Sequence, residues 1–190
     1  MKARKFLWLS SLSLALILFN VYPVWSQPLT GVQPNLEAKG AVITHSFAVE
    51  EGYYGYIWKI YIEADDPSDD MYKIASVVDQ VGYGHYPTDW ITLKPQYRHH
   101  LKGYLQWNTF SSAATYLKEW TQITLKVSIF DKAGNESNVV VFPFSFESGV
   151  KEQYNYALPP PFDQGDLPRL GHIMIELTQP DYGDLDHRMF

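Results

Sequence analysis

Large apolar residues alternate with polar ones along several stretches of the chain, and a period of two is typical of β-strands with one buried face. The first long stretch covers residues 54–62, and the most regular one covers residues 122–129. A turn at 131–135, which contains Gly134, leads from the latter into a further alternating stretch at 140–146. These last two stretches therefore predict a β-hairpin.

Weaker alternation predicts further strands at residues 72–81, 90–94 and 101–107. The only helical pattern, at 111–119, is too short to form a layer and predicts one turn of helix. Short strands without a long crossover helix predict an all-β fold, an antiparallel β-sandwich of about seven strands. Pro143 cannot donate a ladder hydrogen bond, so we expect its strand at a sheet edge or a bulge.

The predicted hairpin resembles part of a known class of domains. Residues 127–137, Val-Ser-Ile-Phe-Asp-Lys-Ala-Gly-Asn-Glu-Ser, resemble the penultimate strand and final hairpin turn of bacterial immunoglobulin-like and fibronectin type III-like domains. Trp58 lies where the latter carry a core tryptophan. The resemblance covers residues 41–147 and implies an immunoglobulin-like β-sandwich. It implies no activity, because one fold serves many functions.

The last part of the chain, residues 149–190, is a proline-rich extension of a domain that we expect at residues 41–148. Its proline run at 159–161 favours an extended polyproline conformation across the surface. Residues 173–178 then alternate again, which predicts one further strand. We expect this strand to add to a sheet edge or to pair with a partner protein.

The first 26 residues have the order of a secretory signal peptide: a basic start, an apolar run at 6–19, and small residues before position 27. The alternative is a membrane anchor, but the run is shorter than the ~20 apolar residues that span a bilayer. A linker punctuated by proline and glycine follows at residues 27–40. We expect an exported protein, periplasmic or extracellular, without membrane insertion after cleavage.

Charge and cysteine content narrow the classes of partner. The signal peptide holds 3 of the 15 basic residues and no acidic one, so 12 basic residues remain against 21 acidic ones, a net charge of −9. An acidic protein lacks the basic footprint that phosphate binding requires, so we expect no nucleic acid partner. The chain has no cysteine, and an exported domain without disulfides has to be stabilised by packing.

Two acidic loops are candidates for metal binding. Their residues are Asp65, Asp66, Asp69 and Asp70 in one loop and Asp131, Asn135 and Glu136 in the other. In an immunoglobulin-like sandwich the two loops emerge at the same end, and calcium binds roughly six to eight hard oxygen ligands. Calcium is therefore the candidate ion, and we expect no other cofactor. The alternative is that these side chains cap turns.

Zinc binding and catalysis have weaker support. Neighbouring residues on a strand point to opposite faces, so we do not expect His99 and His100 to share a zinc ion. No serine lies in a nucleophile-elbow motif, and His85 and Asp89 are paired only by proximity in the sequence. We expect no enzymatic activity, and an unrecognised hydrolase ranks third among the functions.

The chain has more aromatic residues than a small domain requires. Nine of them lie between Tyr83 and Trp120, and we expect most of these in the core, because a sandwich without disulfides needs large apolar volume. Tyr53, Tyr61 and Tyr104 fall on the predicted outer faces. They are candidates for stacking on a sugar or for anchoring a protein.

The function expected first is that of a non-enzymatic binding or structural module of the cell envelope. It would contact another envelope or extracellular protein through sheet edges or end loops. The alternative is a carbohydrate-binding module, assisted by calcium, with a glycan as partner. A row of exposed aromatic residues along one sheet would favour the glycan, and a dry apolar edge beside the C-terminal strand would favour the protein.

Overall fold

The described residues form ten β-strands and one turn of 3₁₀ helix at Pro95–Tyr97. The computed structural model describes residues 40–114, 121–147 and 157–179, which all lie within one unit, Pro34–Phe190. The strands are β1 Val42–Phe47, β2 Glu51–Gly52, β3 Ile57–Asp65, β4 Met71–Gln80, β5 Gly84–His85, β6 Asp89–Thr92, β7 His100–Asn108, β8 Gln122–Asp131, β9 Val140–Phe146 and β10 Arg169–Ile173.

The strands form two sheets, so the fold is an all-β sandwich, as the alternation predicts. One sheet has the order β1-β3-β7-β10, and the other has the order β2-β9-β8-β4-β5, with β6 also paired to β4. Two pairings are parallel, β2 with β9 and β10 with β7, and these depart from the expected antiparallel sandwich. Alternation shows which face of a strand is buried but not the direction of its neighbour, so the sequence pattern does not reveal them.

The core between the sheets is rich in aromatic rings. Trp58 and Trp107 are fully buried, with ring centroids 6.0 Å apart, and Phe144 of the other sheet lies 4.6 Å from Trp58. Trp58 is thus a core residue, as the sequence predicts. Interlocking rings of this size supply the apolar burial that a domain without disulfides needs.

Most strand boundaries lie close to the expected ones. Strands β4 and β6–β9 begin and end within two residues of their predicted positions. The strand expected at 54–62 begins later, at Ile57, because Gly55 has a φ of 86° and the Tyr56 amide closes a turn onto the Tyr53 carbonyl at 2.9 Å. Of the expected helical turn, residues 111–114 form a turn, and 115–120 lie outside the described residues.

Pro143 lies at a sheet edge, which is one of its two expected positions. On one side β9 pairs with β8, and Pro143 lies opposite Thr124. On the other side β2 pairs only with Ser145 and Phe146. The missing amide hydrogen of proline therefore removes no ladder bond from the sheet interior.

The C-terminal strand adds to a sheet edge, but it is Arg169–Ile173 and not the expected residues 173–178. Ile173, Ile175 and Leu177 are at most 9% exposed, so the alternation identified the buried positions although residues 174–178 form no ladder. Trp107 Nε1 donates to the Ile175 carbonyl at 2.9 Å. Gln80 Nε2, from the other sheet, donates to the Thr178 carbonyl at 2.7 Å. The segment thus bridges the two sheets along one side of the sandwich.

The proline run is not extended. The Phe162 amide donates to the Pro159 carbonyl at 2.8 Å, so residues 159–162 form a turn. Phe162 is 1% exposed, and its ring lies 5.7 Å from that of Tyr61. Burial of this ring stabilises the turn, and the segment covers part of the outer face of the four-stranded sheet.

Candidate functional site

The acidic loops approach each other at one end of the sandwich, as the sequence predicts. The connection from β3 to β4 holds Asp66 and Asp70, and β8 ends at Asp131. The Lys132 amide donates to the Asp70 carbonyl at 3.1 Å, which joins the two loops. Asp66 and Asp131 are 0% and 4% exposed. Buried carboxylates need hydrogen-bond partners, because an unpaired buried charge is very costly.

Asp66 and Asp131 find those partners within their own loops. Asp66 Oδ1 accepts a hydrogen bond from the Ser68 backbone amide at 2.8 Å, and Asp66 Oδ2 accepts one from the Asp70 backbone amide at 3.4 Å. Asp131 accepts the backbone amide of Asn135 at 2.8 Å and its side-chain amide at 2.6 Å. Both carboxylates therefore cap turns, which is the alternative role that the sequence allowed.

Asp70 has the least favourable environment of the three carboxyl groups. Its Oδ1 is buried and has no hydrogen-bond partner among the described residues. Desolvation, a hydrogen bond with Asp66 and the charges of Asp66 and Asp131 raise the pKa of Asp70, and the charge of Lys132 opposes them. For Asp131, burial also raises the pKa, but hydrogen bonds from Asn135 and from the backbone amides of Gly134 and Ala133 together outweigh it and lower the pKa.

The other three predicted calcium ligands have different surroundings. Asp65 Oδ1 lies 2.7 Å from His100 Nδ1, Asp69 contacts His99, and Glu136 is exposed. Within residues 40–114, 121–147 and 157–179, no group of three or more His, Cys, Asp or Glu side chains has a geometry that could hold a metal ion. Calcium binding stays a prediction from the sequence.

A cluster around Glu63 lies on the outer face of the four-stranded sheet. Glu63 Oε2 lies 3.3 Å from His45 Nδ1, and Oε1 lies 3.8 Å from His100 Nε2 and 3.6 Å from Lys102 Nζ. His99 instead contacts the loop at Asp66, whose carbonyl lies 3.0 Å from His99 Nδ1. His99 and His100 thus have separate partners.

His85 and Asp89, the pair considered for hydrolysis, also have separate partners. His85 Nδ1 lies 2.6 Å from Asp79 Oδ1, and Asp89 Oδ2 accepts the Met174 amide at 3.1 Å. Hydrogen bonds from His85 and Lys126 lower the pKa of Asp79. His85 thus belongs to an exposed hydrogen-bonded pair with Asp79 on the outer face of the six-stranded sheet.

The three tyrosines predicted on outer faces do not form one site. Tyr53 is 47% exposed and lies in the turn before β3. Tyr61 and Tyr104 pack together with ring centroids 5.8 Å apart, and Tyr104 is half-buried. Tyr61 is only 6% exposed, because Phe162 covers it. The prediction of an exposed Tyr61 is therefore wrong, since a segment distant in sequence packs over it.

An exposed tryptophan on the six-stranded sheet is the surface feature that the sequence reasoning missed. Trp90 of β6 is 49% exposed, whereas its neighbour Ile91 is 8% exposed and points inward. Trp90 lies opposite Ala75 of β4, which lies opposite Ser128 of β8. Ala75 and Ser128 are on the outer face, yet they are only 4% and 5% exposed. We infer that the indole ring lies across the sheet and covers these small residues.

Two neighbours fix the position of this ring. The Phe130 ring meets the Trp90 ring nearly edge-on, at 5.2 Å and 67°. Lys73 Nζ lies 5.9 Å from the Trp90 ring centroid and 5.0 Å from that of Tyr72. Trp90, Phe130, Lys73 and Tyr72 are called the aromatic platform below. The alternation of Trp90 with Ile91 was the sequence signal that could have identified it.

Comparison with known proteins does not assign the chain to a family. No protein-family model and no curated protein matches it. In the described part of the chain, no helix has the length and apolar character needed to cross a membrane. The function therefore has to be inferred from the surface geometry.

Proposed function

We propose that this protein is an exported, non-enzymatic carbohydrate-binding module whose aromatic platform binds a sugar ring. The observation that supports this function is the indole of Trp90, which is 49% exposed on a sheet surface. A pyranose ring presents a flat patch of C–H groups that can pack on an aromatic face. Because the Trp90 ring packs edge-on against the Phe130 ring at 5.2 Å, it loses less conformational freedom on binding than an unpacked side chain would.

The strand order supports an immunoglobulin-like fold for the module. The first strand pairs with β3 in one sheet, and the chain then crosses to the other sheet, where β2 pairs with β9. The series β1-β3-β7 and β9-β8-β4 correspond to the ABE and GFC strands of an immunoglobulin-type sandwich. This order agrees with the resemblance of residues 127–137.

A protein partner, which the sequence favoured first, has less support. At the edge of the four-stranded sheet, β10 lies against β7 and contacts β6, so the expected apolar edge is occupied. On the outer face of the six-stranded sheet, Val141 of β9 is exposed. Its neighbour on β8, the strand between β9 and β4, is the charged Lys126, so the exposed apolar surface does not continue across the sheet. A standard protein interface buries about 800 Å² per partner. The platform, in contrast, consists of four side chains, far fewer than the roughly 20–30 residues that each partner contributes to such an interface.

The proposal is tested by affinity gel electrophoresis of the purified protein in gels that contain single polysaccharides. We expect the Trp90→Ala variant to bind about tenfold more weakly, a loss of ~1.4 kcal/mol. Tyr53→Ala is the matched control, because Tyr53 is 47% exposed but lies outside the platform. Circular dichroism shows whether both variants are folded. Equal retardation of folded Trp90→Ala and wild-type protein would refute the proposal.

A further inference from the structure

We propose that the aromatic platform selects sugars that carry an anionic group, such as a carboxylate or a sulfate, and that Lys73 makes this selection. The inference rests on the proposed carbohydrate-binding function and names the class of sugar. It is based on the position of one lysine between two aromatic rings and on the absence of a carboxylate partner for that lysine among the described residues.

Lys73 is held at the centre of the platform by the sheet. It lies on β4, with Thr92 of β6 opposite it on one side and Phe130 of β8 on the other. A strand with neighbours on both sides positions its side chains more rigidly than a loop does. The ammonium group therefore has a defined place between the rings of Tyr72 and Trp90.

The charge of Lys73 has no acidic partner among the described residues. Lys126, on the same face, pairs with Asp79 at 2.8 Å, and Lys102, on the other sheet, lies 3.6 Å from Glu63. The chain has 21 acidic residues against 15 basic ones. Lys73 instead contacts the rings of Tyr72 and Trp90. Cation–π contacts do not neutralise the charge, so it can attract an anion.

The distances suit an anionic group on a stacked sugar. Carbon atoms in contact lie roughly 3.5–4.0 Å apart, so a pyranose would lie at that height above the indole. Lys73 Nζ lies over the Trp90 ring at 5.9 Å from its centroid, which is farther from the ring than the height of the stacked pyranose. An exocyclic carboxylate or sulfate of the stacked sugar can reach that position. A charge-assisted hydrogen bond is about twice as strong as the bond that a neutral hydroxyl would form there.

The test compares polysaccharides that differ only in charge. Polygalacturonate is compared with its methyl ester, and dextran sulfate is compared with dextran, at about 150 mM salt, where weak surface electrostatics are screened. The two pairs separate carboxylate from sulfate recognition. We expect wild-type protein to bind at least one charged polymer about tenfold more tightly than its neutral counterpart.

Variants assign that preference to Lys73. Lys73→Gln is expected to lower binding of the charged polymer to the level of its neutral counterpart, and Lys73→Arg is expected to keep the preference for the charged polymer. Lys59→Gln is the matched control, because Lys59 Nζ lies 5.0 Å over the Tyr104 ring on the opposite sheet. Trp90→Ala is expected to weaken binding of charged and neutral polymers alike.

Each outcome separates the inference from the proposed function. Equal binding of charged and neutral polymers that still requires Trp90 would overturn the inference and leave the proposed function intact. A preference that survives in Lys73→Gln would also overturn the inference, because another surface would be responsible. If no polymer binds, or if none requires Trp90, both proposals fail.

Discussion

The substitution Gly171→Ala tests how β10, the C-terminal strand, packs against β6 of the six-stranded sheet. A Cβ at Gly171 would lie 2.4 Å from Ile91 Cγ2, whereas carbon atoms in contact normally lie about 3.5–4.0 Å apart. Gly171 is not among the residues with positive φ, so the backbone itself accepts alanine. Only the contact between β10 and β6 therefore opposes the substitution.

The structure predicts energetic coupling between Gly171→Ala and Ile91→Ala. The first variant overpacks the interface and should lower the free energy of unfolding by roughly 1–3 kcal/mol. The second removes a side chain that is 8% exposed and should cost about 2–5 kcal/mol. In the double variant, the new methyl group occupies space that Ile91 leaves. The loss of unfolding free energy in the double variant should therefore be smaller than the sum of the losses in the two single variants, by roughly 0.5–3 kcal/mol.

Urea unfolding followed by tryptophan fluorescence measures all three variants against the wild type. Gly103→Ala is the control, because a Cβ at Gly103 would lie 2.3 Å from the Pro168 carbonyl oxygen rather than near Ile91. Ile91→Ala should not relieve that clash, so those two changes should be additive. If Gly171→Ala and Ile91→Ala are also additive, the described packing of β10 against β6 is wrong.

Three further substitutions test buried polar contacts by thermal melting. Tyr86→Phe removes the hydroxyl that accepts the Thr178 amide at 2.7 Å, and we expect a loss of roughly 1–3 kcal/mol, with Tyr83→Phe as a nearly neutral control. The pKa of Asp70 is raised in the folded protein, so folding is favoured while this carboxyl is protonated. The stability that it contributes is therefore lost as the pH rises through the folded-state pKa. Asp70→Asn should therefore have a higher melting temperature than the wild type at about pH 7 and the same melting temperature below about pH 4. If calcium binds at this loop, millimolar calcium should raise the melting temperature of the wild type but not that of Asp70→Asn. The pKa of Asp131 is lowered in the folded protein, so the pH dependence is the opposite. The ionised Asp131 carboxylate stabilises the fold above about pH 4, and this stability is lost as the pH falls through the folded-state pKa. Asp131→Asn should melt below the wild type at about pH 7, and equal melting temperatures there would contradict the capping role.

Much of the fold was predictable from the sequence, because each central strand has one buried and one exposed face. Strands β4 and β7–β9 lie close to their predicted positions, and Trp58 is in the core. Strands β1, β2 and β5 were not predicted from the sequence. A strand of two residues, such as β2 or β5, is too short to display a period, so local pattern cannot identify it.

The candidate site was less predictable, because accessibility depends on what packs over a residue. Tyr61 and Trp90 both alternate towards an outer face, yet they are 6% and 49% exposed. Phe162 covers Tyr61, whereas Trp90 packs edge-on against Phe130 and stays exposed. Neither contact is encoded in the local alternation, because the partners come from distant parts of the chain.

The sequence by itself determined the all-β class, the main strands and which face of each strand is apolar, because these depend on local period and turn residues. The tertiary structure decided the parallel pairing of β10, the turn at residues 159–162 and the place of Lys73 between two rings. Each of these depends on contacts between segments far apart along the chain, and a period-two pattern carries no information about such contacts.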